Sequence, residues 1–569
     1  MDRRSFLGAL GVVGAGGGAV GAMAGAPAAS AASGSRTMRP LQVPGKVGEP
    51  ALPLVAVIAL NRMGFGPRPA DFTAFQALGS SAEARLLAYV DQQLDPASIV
   101  DTDFTARLAA AGYESTNPGL SLDAYLARLW SWYENDNAPS GNTSSSLVRD
   151  EAIRLKFLRA IYSRKQLLEL LTDFWHDHFN VFIDDSSVVR TTFPHLDEVI
   201  RSEALGNFRV LLEGVTKSPA MLYYLDNYTS SNAGPNENFC RELFELHTLG
   251  AAAYLGIQQQ SSVPTDGNGV PVGYVDADVF EATRAFTGWS FSYGPEGDGD
   301  TGLFHYRPTW HDRFQKQVLG VFLPQDQADM KDGHDVLDAL AAHPATGQHI
   351  ATKLCRRLIS DDPPQSLIDS AAQLFTDEWQ ASDQLAQVVR HILLAPEFKS
   401  TWGEKIKRPF EIAVSAFRAT GGNLSFARED SAVNSFLWRF DDTGNEPFHW
   451  HAPNGFPDHK TPWLSMTPRV MSWRLCGYLI DAEQANDQPI IDALGQTPGW
   501  ARSTNELVDY WTERILGRPM EMIDRLQIVQ FMSQGINPDL DLNLNDEDTA
   551  DRLRSMIGLI FMSPDFLWR

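Results

Sequence analysis

Cysteine is nearly absent. The chain has three, Cys240, Cys355 and Cys476, in 569 residues. They lie far apart, each inside an apolar or helical run, so they read as free core thiols rather than a disulfide framework or a zinc cluster. Several catalytic signatures are also missing: no glycine-rich phosphate loop, no G-x-S-x-G, no H-E-x-x-H and no C-x-x-C. Positive charge is scarce, with 47 Lys and Arg against 71 Asp and Glu and a formal charge of −24. Such a chain repels phosphate backbones, which excludes generic binding to nucleic acid or anionic membranes. No run approaches the roughly 20 strongly apolar residues that a membrane anchor needs. What is present is core material: 43% hydrophobic residues and 14 Trp are too many for a disordered chain.

The first residues read as an address. Arg3-Arg4-Ser5-Phe6-Leu7 is a twin-arginine pattern, followed by a Gly- and Ala-rich stretch from Gly8 to Ala24 and small residues suited to cleavage near Ala31. This predicts a signal over 1–31, a flexible linker over 32–54, engagement of the twin-arginine export machinery, and a periplasmic or extracellular destination. No Cys follows the apolar stretch, so no lipid anchor is expected.

Beyond the linker the periodicity is helical almost throughout. Leu54 to Arg62, Ala82 to Gln93 and Leu122 to Tyr133 predict short amphipathic helices, and Arg149 to Phe179 a long helix or a close pair. Val336 to Leu358, Gln365 to Phe375 and Leu385 to Leu394 predict further helices, with β-signals confined to short pieces around 303–322. The expected organisation is an N-terminal helical region (55–137), a central body (148–420) and a C-terminal aromatic loop and lobe (421–569). A weak repeat relates the stretch from Lys353 to Phe398 with that from Tyr510 to Phe566, each ending in Pro-acid-Phe. The predicted fold class is mainly α, a large multi-helix body with two related helical lobes and little β.

Phe174-Trp-His-Asp-His-Phe-Asn-Val181, Ser218-Pro-Ala-Met-Leu-Tyr-Tyr-Leu-Asp226, Asn236-Glu-Asn-Phe-Cys-Arg-Glu-Leu-Phe-Glu-Leu-His-Thr-Leu-Gly250, Arg284-Ala-Phe-Thr-Gly-Trp289, His343-Pro-Ala-Thr346 and Pro453-Asn-Gly-Phe-Pro457 occur in that order. Together they resemble the bacterial family called domain of unknown function 1800, over about 55–569. The resemblance implies a large, exported, mostly helical protein with no settled activity. It also implies that the position of Asp177 more often carries Asn.

The residues themselves suggest a site. His176 and His178 fall on different sides of a helix, about 200° apart, so they do not chelate together; His178 lies on the apolar side, and His176 shares the other with Glu169 and Asp173. Asn236 is placed to cap the next motif helix and Gly250 to stop it. Glu237, Arg241 and Glu245 stack at four-residue spacing, while Glu242 borders the buried face, where a carboxylate needs a partner. His247 reaches Glu242 only if the last turn unwinds. The resulting hypothesis places His178, Glu242 and His247 in one inter-helical pocket near Asp226 and Glu245, as an acid–base centre or a divalent-metal site held by His178 and Glu242; the alternative is a buried network that fixes helix packing. Trp450 and Trp463, in a ring-rich loop beginning Phe448-His-Trp-His451, are candidates to stack on a glycan or an aromatic ligand. Two functions follow: a hydrolase acting on envelope or extracellular polymer, or a non-catalytic envelope protein that binds a partner or glycan through the aromatic loop.

Overall fold

A computed structural model of the chain describes residues 52–135, 144–294, 299–484 and 487–569. The twin-arginine segment and the linker up to residue 51 lie outside the described residues, as do 136–143 of the predicted polar linker. The N-terminal part folds as α1 (Val55–Arg62), α2 (Asp71–Gln76), α3 (Ala82–Leu94), α4 (Thr102–Ala111) and α5 (Leu122–Asn135). The stretch around the His-Asp-His motif is a close pair, α6 (Ser144–Tyr162) and α7 (Gln166–His178), followed by α8 (Ser187–Glu203), α9 (Phe208–Lys217) and α10 (Pro219–Tyr224). The Glu242 helix, α11 (Asn238–Glu242), runs straight into a π-turn over Leu243–His247. After α12 (Asp276–Ala285) come two antiparallel hairpins: β1 (Trp289–Phe291) with β2 (Phe304–Tyr306), and β3 (Lys316–Val318) with β4 (Val321–Leu323).

The predicted run from Val336 to Leu358 is two helices, α13 (Lys331–Ala342) and α14 (Pro344–Leu358). Pro344 has no N–H to extend the first helix and fits the first position of the second; the His343 ring accepts from Ala345 N at 3.0 Å and caps the new start. Then follow α15 (Gln365–Asp377), α16 (Gln384–Leu394), α17 (Pro396–Ser400), α18 (Pro409–Thr420), α19 (Ser431–Asp441), α20 (Lys460–Trp463) and α21 (Met466–Asp481). The chain ends with α22 (Thr504–Leu516), α23 (Met522–Ser533), α24 (Glu547–Met562) and α25 (Pro564–Leu567). The sequence repeat is a structural one. α14 to α17 and α22 to α25 are each three longer helices and a short one with Pro at its first position, and each short helix buries its Phe, Phe398 or Phe566.

Residues 53–569 form one compact unit around one extensive apolar core. All three cysteines are free and buried. No described helix is long and apolar enough to cross a membrane.

Through this core runs a layer of buried charge. Asp173 on α7 receives Lys156 at 2.5 Å, Arg408 at 2.5 Å and Arg357 at 3.1 Å. Arg408 also holds Asp177 at 2.5 Å, and Arg357 reaches Glu411 at 3.0 Å. Glu411 takes Arg569 at 2.7 Å as well as the backbone N–H of Arg408 at 2.8 Å, while Lys405 bridges Asp458 at 2.9 Å and Asp361 at 3.2 Å. Five cations (Lys156, Arg357, Lys405, Arg408, Arg569) thus meet five carboxylates (Asp173, Asp177, Asp361, Glu411, Asp458), the condition under which charge is tolerated inside a protein. The pairs tie α6, α7, α14 and α18 to the end of the chain.

Candidate functional site

The site is organised by the end of α7. Its apolar positions bury Leu167, Leu170, Leu171, Phe174 and Trp175, and the helix stops at His178. Beyond it, Asn180 donates both amide hydrogens to the aromatic loop, to the carbonyls of Trp450 and Ala452 at 2.8 Å each. The loop returns over the helix end so closely that Gly455, at φ +69°, leaves no room for a side chain: a Cβ there would lie 1.9 Å from the Asp177 carbonyl oxygen. Gly455→Ala is therefore expected to cost about 2–3 kcal/mol, with faster proteolytic nicking of residues 446–458 as the specific readout; unchanged melting and nicking would disprove the clamp.

His178 is 1% exposed. Its Nε2–H donates to the His247 carbonyl at 3.0 Å, and its Nδ1 accepts from Lys353 Nζ at 2.8 Å. A carbonyl only accepts, so this pattern fixes the neutral tautomer with hydrogen on Nε2. His349, one turn before Lys353 on α14, donates in the same manner to the Leu246 carbonyl at 3.1 Å. The two imidazoles thus satisfy the last carbonyls of the α11 π-turn, which have no backbone N–H of their own. His247 completes the cluster, its ring 6.2 Å from that of His178 and 5.1 Å from that of Phe179, with a buried Nε2 that has no partner. Burial first, then the Lys353 charge, pushes His247 down to about 3 and His349 to about 4, and holds His178 well below the usual imidazole range. Burial likewise pushes Lys353 down to about 8, against the attraction of Asp177 and Asp458.

The predicted set is therefore split. His178 and His247 come together, but His178 meets the backbone of the Glu242 helix at its far end, not Glu242 itself. The π-turn carries His247 round to the buried side without bringing it to the carboxylate. Glu242 is half-buried beside Glu245 and Arg241; burial and the Glu245 charge raise its pKa. No group of three or more His, Cys, Asp or Glu among the described residues is arranged to hold a metal ion, and both nitrogens of His178 are engaged. The two-residue metal site of His178 and Glu242 is withdrawn. α11 begins one residue later than expected, after Glu237, but the Asn236 side chain still accepts from the first helical N–H, that of Asn238, at 3.1 Å; Arg241 joins Glu237 at 3.3 Å and Asp276 at 3.5 Å. Trp463 is a core residue, 5% exposed, its indole N–H on the Pro457 carbonyl at 2.9 Å; it cannot stack on a ligand there.

What gathers around Glu242 is a rim. Tyr224, at the end of α10, donates to the His451 carbonyl at 2.6 Å. Burial raises its pKa, and the Asp185 and Glu242 carboxylates raise it further. Asp185 is itself raised, by burial and by the Asp226 charge, with His451 opposing. Asp226 stands at φ +61°, a left-handed conformation that Asp adopts more readily than most residues. Trp450 is partly exposed beside them, its N–H held by Asn454 at 2.8 Å. Asp226, Glu242, Glu245 and Trp450 were predicted; Asp185, Tyr224 and His451 were not. Lys353 and His349 were also missed, though His349, Lys353 and Arg357 recur every four residues, a polar stripe on an otherwise apolar helix.

The opposite face of α7 carries a second arrangement. His176 Nε2 meets Asp197 at 2.8 Å, Asp197 meets Arg159 at 2.5 Å, and Glu169 pairs with Arg201. They line a cavity of about 40 Å³, space for a few waters at most.

A family model described as Protein of unknown function (DUF1800) matches residues 58–568. No curated protein and no solved structure matches the chain.

Proposed function

The chain belongs to the DUF1800 family, and from that footing we propose that it is exported folded by the twin-arginine route and hydrolyses a polysaccharide of the envelope or extracellular matrix by acid–base chemistry at the Glu242 rim. The observation that carries this reading is Tyr224. Its hydroxyl hydrogen-bonds the aromatic loop at the His451 carbonyl and lies within the field of the Asp185 and Glu242 carboxylates. Carboxylates that hold protons above their usual range beside partly exposed rings are the means by which proteins grip hydroxylated rings and protonate a glycosidic oxygen. Glu242 is the proton donor to the leaving oxygen. Asp226 and Asp185 supply the negative charge that stabilises an oxocarbenium-like centre, and Trp450 is the platform for a sugar ring. His178 and His247 act as positioning residues, fixing the end of the helix that presents Glu242.

The test is release of reducing ends from purified envelope and extracellular polysaccharide fractions. Glu242→Gln is expected to lower turnover at least about 100-fold with binding to the same fraction retained, and Trp450→Ala to weaken binding. A wild-type protein that binds a fraction yet releases nothing would sink hydrolysis and leave the non-catalytic glycan binder.

A further inference from the structure

Lys353 shares with the buried Lys407 the lack of a carboxylate at ion-pair distance among the described residues, but Lys407 lies over the Phe566 ring at 4.0 Å whereas Lys353 meets a ring nitrogen. Lys156, Lys316 and Lys405 each sit within 3.2 Å of a carboxylate oxygen. Lys353 has none at ion-pair distance among the described residues; its partner is an imidazole nitrogen. With the Nε2 hydrogen on the His247 carbonyl and the ring neutral, His178 Nδ1 carries a free lone pair and accepts from Lys353. Lysine and histidine therefore form a donor–acceptor pair with no carboxylate to hold the proton on the amine. The groups facing Lys353 are His178 and Asp177 from α7, His247 from the π-turn, His349 and Arg356 from α14, and Asp458 from the loop after the aromatic motif. The three imidazoles are neutral and the two carboxylates are already held by Arg408 and Lys405. The buried Nε2 of His247 adds a polar atom without a hydrogen-bond partner among the described residues. Lys353 is also half-buried rather than sealed, and Asp177 and Asp458, with 20% and 25% of their side chains exposed, flank it on the solvent side.

We propose that Lys353 is a nucleophilic amine that forms an imine with small uncharged aldehydes, with His178 as its proton acceptor. The flanking carboxylates select against anionic carbonyl compounds such as keto acids. In the step, the Nζ lone pair of the neutral amine bonds to the carbonyl carbon and the C=O π pair moves to oxygen, which takes a proton from water at the solvent side. Nitrogen releases one proton to His178 Nδ1, giving the carbinolamine. That proton then passes from His178 to the hydroxyl, which departs as water while the nitrogen lone pair forms the C=N bond. Neutral amine, aldehyde and one solvent proton thus become a protonated imine and one water, with no oxidant or reductant, and a neutral imine follows when the nitrogen proton returns to solvent. At pH 7.5 an amine titrating near 8 is roughly a quarter neutral, against about a thousandth for an ordinary lysine.

The experiment is trapping with glycolaldehyde and sodium cyanoborohydride on the full-length exported chain, reading the hydroxyethyl adduct by peptide mass spectrometry at pH 6.5 to 9. The exposed Lys331 is the internal reference, and Lys353→Arg identifies the adducted peptide. Lys353 is expected to react about tenfold faster than Lys331 at pH 7.5, with a rate that levels off above an apparent pKa near 8, and glyoxylate is expected to react more slowly than glycolaldehyde. Labelling no faster than at Lys331, or labelling that appears only in urea, overturns the assignment. The trapping needs no polysaccharide, so its failure and the failure of the hydrolase reading are separate results.

Discussion

Replacing Asp173 by Asn should lower the stability of the protein by about 3–5 kcal/mol. The carboxylate is 6% exposed and answers three cations at once, Lys156, Arg357 and Arg408. Their attraction overcomes the cost of burial and holds its pKa far below the ordinary carboxylate value. Asn keeps the volume and one acceptor but removes the charge, so five cations remain against four carboxylates in a layer that is buried around Asp173, Arg357, Arg408, Glu411 and Arg569. The penalty is that of uncompensated buried charge, which exceeds the net worth of the intact pairs. A control belongs on the surface. Asp509 pairs with Arg525 at 2.7 Å but is 61% exposed, and Asp509→Asn should cost under about 1 kcal/mol. The measurement is the shift in urea midpoint at pH 7.5, repeated in 1 M NaCl. Salt should erase the small effect and leave the large one, because a buried layer is screened little. A loss below about 1 kcal/mol for Asp173→Asn would show that the layer reorganises around the missing charge.

The helices were legible because their apolar residues recur at the helical period, and the prediction fails where punctuation outweighs periodicity. Val336 to Leu358 reads as one amphipathic run, yet Pro344 breaks it. The strand signals around 303–322 mark most of the two hairpins but not β1, whose three residues, Trp289, Ser290 and Phe291, are too few to establish a period. The site was half legible. That His178 faces the core follows from the spacing of Leu167, Leu171, Phe174 and His178. Its partners do not, because one is a backbone carbonyl freed by a π-turn and the other a lysine 175 positions along the chain. The side of α7 bearing His176, Glu169 and Asp173 reads as polar and hence solvent-facing. It is instead a buried ionic seam, since residues on α6, α8, α14 and α18 supply the opposite charges. Pattern registers polarity; it does not register whether the polarity will be answered by water or by another helix.

Acidification should destabilise the protein well before its buried carboxylates titrate. His178, His195 and His247 are all buried, with His195 pushed down to about 4, His247 to about 3, and His178 lowered in the same direction by burial and by Lys353. In the unfolded chain each regains a pKa near 6.5. Between 6.5 and these lowered values the unfolded state binds more protons than the folded one, so unfolding free energy rises with pH. The contribution is complete above pH 6.5 and is lost as pH falls towards the folded values. At pH 5 His195 and His247 each cost about 2 kcal/mol relative to neutrality, 1.5 pH units at about 1.4 kcal/mol per unit. Together they cost about 4 kcal/mol, a large share of the 5–15 kcal/mol typical of a domain; His178 acts in the same direction, and His349, partly exposed, adds less. The depressed carboxylates of the ionic layer, Asp173, Asp458 and Glu411, act in the same direction but only below about pH 4, where unfolded Asp and Glu begin to protonate. Urea midpoints at pH 7.5, 6 and 5 should therefore fall steeply over a range in which a carboxylate-driven acid transition would still be flat. His195 offers the cleanest dissection, because it lies outside the Lys353 cluster and its Nδ1 has no partner. His195→Gln should reduce the loss between pH 7.5 and pH 5 by about 2 kcal/mol, since glutamine takes up no proton in either state. If the variant loses as much between pH 7.5 and 5 as the wild type, His195 is already protonated in the fold and the neutral-core account of these histidines fails.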